Sequence, residues 1–167
     1  MVRFLSQRPK LNLPSKFLKD FDFILLVTEL IVADKFKLTP KEIKRMLYEV
    51  YFLKEETFLK DRFASLLKLE KFSWLPSQRK EFYILCLNQT KIFNWKKPFL
   101  NELLFYILSH ELIHLVRFIR YQSDFYAKEK WEEEKKVHNL TKETLKDIKF
   151  LPHMKVVLDY FDQIYQD

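Results

Sequence analysis

The stretch "ILSHELIHLVRF", residues 107–118, decides how the chain is read. Apolar residues occupy every turn of it, as in a helix sunk into a core. It also carries His110, Glu111 and His114, ionisable groups whose burial without partners costs several kcal/mol. Successive residues of a helix advance by about 100°, so His110 and His114 lie about 40° apart, one turn above the other, and can grip one metal ion. Glu111 lies about 100° round from His110, beside the ion's open position, where it can take a proton from bound water. The flanking Ile107, Leu108, Ser109, Leu112, Ile113, Leu115 and Val116 are uncharged, as a helix lying beneath a metal should be. A core histidine with a local partner is the plain alternative, and it accounts for one polar residue better than for three.

Outward from this stretch, Pro98 opens a long helix over residues 98–121, apolar on nearly every side and so central to the fold. Residues 124–148 read as a second helix with an apolar face of Val137, Thr141, Leu145 and Ile148. The acidic run Glu132, Glu133 and Glu134 begins it, and a catalytic metal site needs one more protein ligand. Glu134 lies within about 40° of the apolar face, Glu133 about 60° off on the other side, and Glu132 points to solvent. Glu134 is therefore the expected third ligand, with Glu133 the alternative. His138 shares its face. Residues 152–165 read as a last short helix.

On the N-terminal side, residues 16–34 read as a largely buried helix through Phe17, Phe21, Ile24, Leu25 and Thr28. "TPKE", residues 39–42, carries a capping box of Thr39 and Glu42 with Pro40 at the first helical position. The helix it starts is expected to run on through Ile43, Met46, Leu47, Val50 and Phe52 or Leu53, and "TFLKDRFASLLKL", residues 57–69, reads as a third. Pro76 then breaks the pattern. "EFYILCL" and "TKIFNW", joined by a turn at Asn88 and Gln89, suggest a hairpin, to which "LKLEKFSW", residues 67–74, adds a further strand. The expectation is a single α+β domain, mostly helical. Residues 1–75 form a helical part, 76–97 a small hairpin or three-stranded sheet, and 98–121, 124–148 and 152–165 the three later helices.

Composition narrows the function. The 167 residues contain no glycine, which removes the P-loop and the dinucleotide fingerprint, both of which need it for close backbone approach to phosphate. A chain of this length buries a core without a metal as staple, so a metal here serves chemistry. The lone Cys86 forms no internal disulfide and the N-terminus lacks the features of a signal peptide, which points to the cytoplasm. Ionisable residues interrupt both long apolar runs, so no membrane span is expected. The net charge of +7 comes without a nucleic-acid-binding motif, so solvated helix faces account for it better than nucleic acid does.

His110-Glu111-Leu112-Ile113-His114, followed twenty positions later by Glu134, resembles the gluzincin class of zinc metallopeptidases, thermolysin-like and minigluzincin-like. The likeness covers about 30 residues closely and, counting the strand-rich layer before the helix, about 70 more loosely. It implies a zincin-like core, Zn2+ as cofactor on His110, His114 and Glu134, Glu111 as general base, and a peptide or protein substrate paired along "KIFNW". The thermolysin type carries an aspartate four residues after the glutamate ligand, where this chain has His138. That residue is left with three roles: support behind the ligands, oxyanion donor, or ligand. Tyr121, Tyr126 and His153 are further candidate donors. Arg117 could bind a substrate carboxylate, though pairing with Asp124 or another acid is the commoner use of an arginine there.

Two rivals stand beside the peptidase. A di-iron carboxylate bundle needs a second Glu-x-x-His, which fails because Lys135 occupies the position three before His138. A non-catalytic scaffold that binds a protein or nucleic acid through its basic surface is the other. Oligomeric state is not legible.

Overall fold

The computed structural model describes residues 13–54, 57–59, 61–70, 81–95, 97–126 and 128–166. Helix α1, Ser15–Lys35, buries Phe21, Ile24, Leu25, Thr28 and Val32, and the Thr28 hydroxyl returns its proton to the Ile24 carbonyl. Helix α2, Pro40–Arg45, begins at the capping box: Thr39 Oγ1 accepts from Glu42 N–H, and Glu42 Oε2 accepts from Thr39 N–H.

Here the structure departs from the sequence reading. The helix expected to reach residue 53 stops at Arg45, and Tyr48–Leu53 forms strand β1. The expected third helix is instead a short 3-10 turn, Thr57–Leu59, followed by strand β2, Ala64–Glu70. Tyr, Val and Phe in β1 favour a pleated, half-buried surface, and their partner is distant in sequence. That partner is β3, Glu81–Asn88, which lies between β1, parallel to it, and β2, antiparallel to it. The second arm of the expected hairpin is also corrected: Gln89–Phe93 is helix α3, because Asn88 is a helix cap whose side-chain oxygen accepts from Lys91 N–H. "KIFNW" is therefore no edge strand. The end of "LKLEKFSW" and the Pro76 break fall outside the described residues. The architecture is α+β, mostly helical, with a three-stranded mixed sheet.

Helix α4, Leu100–Ile119, is buried from Glu102 through Arg117 and packs against α1, the sheet and two later helices. Those are α5, Lys130–Leu145, which starts six residues later than expected, and α6, Met154–Tyr165. A short 3-10 turn at Lys97–Phe99 leads into α4. No described helix is long and apolar enough to cross a membrane.

A chain without glycine must still end its helices. Both α1 and α4 close with a residue in the left-handed region, Lys37 at φ 50° and Tyr121 at φ 55°. The accompanying bonds, Leu38 N–H to Ala33 carbonyl and Gln122 N–H to Arg117 carbonyl, are those of the Schellman motif. Side chains that glycine usually replaces thus sit where an L-residue is penalised.

Candidate metal centre

His110 and His114 project from the middle of α4, and Glu134 meets them from the first turns of α5. His110 Nε2 lies 3.2 Å from His114 Nε2 and 3.0 Å from Glu134 Oε2, and His114 Nε2 lies 3.5 Å from the same oxygen. These three side chains form a group able to hold a metal ion, and among the described residues no second such group occurs. The two histidines are buried and Glu134 is partly open, on the floor of a cleft of about 390 Å³.

The electrostatics favour ligand duty. Burial drives His110 down to about 4, leaving it neutral with a lone pair at physiological pH. Burial opposes protonation of His114 too, but its bond to Glu134 and the charge of Glu111 outweigh this and raise it. The two ring nitrogens face each other across 3.2 Å, and a cation bound between them would displace any proton held there. Burial also works against ionisation of Glu134, yet its bonds to His110 and His114 hold it well below the usual carboxylate range. Glu111, beside these groups and lining the cleft, is lifted by burial to about 7.

Glu133, the alternative ligand, turns to the other side. It accepts two bonds from Arg117, Nε to Oε1 at 2.5 Å and Nη2 to Oε2 at 2.9 Å, while Nη2 also reaches the Gln122 carbonyl at 3.2 Å. Arg117 thus pairs with an acid, as expected, and that acid is Glu133 rather than Asp124; the pair ties the start of α5 to the end of α4 beside Glu134.

His138 lies behind the metal group. Its Nε2 is 2.9 Å from Asp162 Oδ1 and its Nδ1 2.7 Å from the Tyr106 hydroxyl. The carboxylate accepts, so Nε2 carries a hydrogen, while Nδ1 is bonded to the Tyr106 hydroxyl, which is held protonated chiefly by burial. Both ring nitrogens are engaged and His138 does not line the cleft, an arrangement suited to support rather than to binding a metal or an oxyanion. Tyr121, Tyr126 and His153 are not at the cleft either. Tyr121 bonds Arg45, Lys68 lies over the Tyr126 ring, and His153 packs on Phe99.

Besides Tyr106, the site is reached by Tyr165, at the end of α6. Its ring stacks on His138 at 4.8 Å and lies parallel to His110 at 6.1 Å. Burial, then the charges of Glu134 and Glu111, keep its hydroxyl protonated. Only the packing of α6 brings it there, and no local pattern announces it.

Among the described residues the buried Nδ1 atoms of His110 and His114 have no hydrogen-bond partner. Metal-binding imidazoles usually donate this second N–H to a carboxylate or carbonyl. Here ring packing takes over the orienting task, with Tyr106 and Tyr165 against His110 and Phe118 stacked on His114 at 5.9 Å.

Compared with known protein families, with curated proteins and with solved structures, the chain matches none.

Proposed function

We propose that this protein is a zinc-dependent peptidase with a zincin-like core. The observation that carries the reading is the triangle of His110 Nε2, His114 Nε2 and Glu134 Oε2, with sides of 3.0, 3.2 and 3.5 Å. A tetrahedral zinc ion with ligands at about 2.0–2.1 Å requires ligand-to-ligand distances of about 3.3 Å, so the side chains are already spaced as one face of that tetrahedron. Two neutral imidazoles and one carboxylate are also the donor set of a catalytic zinc site, which leaves a fourth position open.

Zinc held on these atoms would supply Lewis acidity and a nucleophile at neutral pH. Glu111, poised near neutrality, takes a proton on the cleft side and returns it to the departing amine. Tyr165 offers a protonated hydroxyl to negative charge developing on the scissile carbonyl oxygen. Among the described residues strand β2 forms one edge of the sheet, and its Ala64, Ser65 and Leu66 line the cleft, so an extended peptide can add to it as a further strand. That edge takes the place expected of "KIFNW".

The test pairs metal analysis of the purified chain with peptide hydrolysis by the wild type and by Glu111→Gln. The reading expects about one zinc per chain in both forms, with hydrolysis lost in the variant. A wild type that holds zinc and cleaves no peptide would favour the non-catalytic scaffold, and one that holds no metal would end the proposal.

A further inference from the structure

Among the described residues three cations line the cleft, Arg62, Lys91 and Lys130, and Lys130, at the start of α5, makes no ion pair with a described residue. Arg117 is spent on Glu133. Lys91 Nζ donates to the Asp61 carbonyl at 2.7 Å and lies 4.6 Å from the centre of the Phe63 ring. Asp124, an acid at the rim, accepts from Tyr126 N–H. Arg62 lines the same cleft with an exposed side chain, and no ion pair or hydrogen bond engages its guanidinium among the described residues. It shares the lining of this cleft with Glu111 and Tyr165.

Its place in the chain gives direction. Arg62 stands two residues before β2, and an added strand that pairs antiparallel runs against the sense of Ala64–Glu70. The N-terminal half of such a peptide lies beside Leu66 and beyond, and the C-terminal half, which departs as the amine, lies toward Ala64 and Arg62. A guanidinium with a free planar fork matches a carboxylate in two parallel bonds, a geometry a lysine lacks.

Building on the peptidase reading, we propose that Arg62 recognises a carboxylate carried by the departing half of the substrate, making acidic peptides the preferred class. The carboxylate is either the chain terminus or an acidic side chain, and the chemistry at Arg62 is the same for both.

The experiment uses the zinc-loaded full chain and one peptide in matched forms: free acid against amide at the C-terminus, and Glu against Gln beyond the scissile bond. A carboxylate form is expected to be cleaved with kcat/KM at least about tenfold above its neutral partner, since a charge-assisted bond contributes about 10- to 100-fold. That ratio should fall to near one in Arg62→Ala and recover in part in Arg62→Lys, with unchanged circular dichroism because the Arg62 guanidinium makes no hydrogen bond or ion pair among the described residues. Which pair of peptides shows the ratio identifies the source of the carboxylate. Binding of the same peptides to the zinc-loaded Glu111→Gln variant, with and without Arg62→Ala, supplies a readout independent of turnover. If nothing is cleaved but the acidic form binds through Arg62, the peptidase reading fails and carboxylate recognition stands. Equal handling of acidic and neutral forms by the wild type, in cleavage or in binding, overturns the proposal, as does a preference that survives Arg62→Ala.

Discussion

Replacing Arg117 by Met tests whether the metal centre depends on a contact outside it. The Arg117 side chain is 7% exposed and Glu133 19%, and two near-parallel bonds of 2.5 and 2.9 Å join them. Methionine keeps most of the aliphatic stem but leaves the Glu133 carboxylate without its counter-charge. Removing one partner of a fully buried pair costs about 3–5 kcal/mol, and the water that still reaches Glu133 lowers the expectation to about 2–4 kcal/mol. Glu134 is the next residue on α5, so loosening this turn should also weaken zinc binding by about 10- to 100-fold, the usual cost of losing support behind a ligand. Urea unfolding of the metal-free protein gives the first quantity, and zinc competition against a chromophoric chelator the second. Arg117→Met, Glu133→Gln and the double variant complete a cycle whose coupling should exceed about 1 kcal/mol. Additive effects, or a zinc affinity equal to that of the wild type, would refute the idea that this pair positions Glu134.

Zinc at a hundredfold excess over Kd should add about 2.7 kcal/mol of stability, a rise in Tm of roughly 5–10 °C, and His114→Ala should abolish the rise in a calorimetric scan. Lys37→Gly and Tyr121→Gly should each stabilise by about 0.5–1 kcal/mol in urea titrations, since the left-handed backbone costs an L-residue about 1–2 kcal/mol and glycine gives part of that back as unfolded-state entropy; destabilisation would contradict the strain assigned to these positions. Glu42 is held down to about 2 chiefly by its bond from Arg120. A lowered folded-state pKa contributes stability that is complete above the unfolded value of about 4.3 and lost as pH falls toward the folded one, so Glu42→Gln should flatten the acid limb of a stability–pH profile between about 4.3 and 2. Equal slopes for variant and wild type would rule that contribution out.

Legibility followed the range of the interactions involved. Helices α1 and α4, the capping box at Thr39 and the pairing of two imidazoles one turn apart depend on neighbours within a few residues, and the sequence announces them. Glu134 was legible because helical geometry separates it from Glu133 by the face each occupies. Strand β1 was not, because Tyr48–Leu53 follows a strong helix start and becomes a strand by pairing with Tyr83–Asn88. Asn88 carries both turn and helix-cap propensity, and Leu59 and Arg62 carbonyls, which accept from its side-chain amide, help to decide between them. The partner of Arg117, the approach of Tyr165 and the place of Arg62 at the cleft are products of tertiary packing alone.

The three donors come from two helices joined by the connection from Arg120 to Glu129. The carboxylate therefore acts as a tethered chelator whose effective concentration at the two imidazoles is set by how firmly α5 docks. A peptide spanning α4 alone would hold the ion weakly. In the proposed zinc-bound form, metal uptake and the docking of α5 would be linked through one free energy: withdrawal of the ion would loosen the wall of the cleft that Glu134 stands on, and anything that peels α5 away would release the ion.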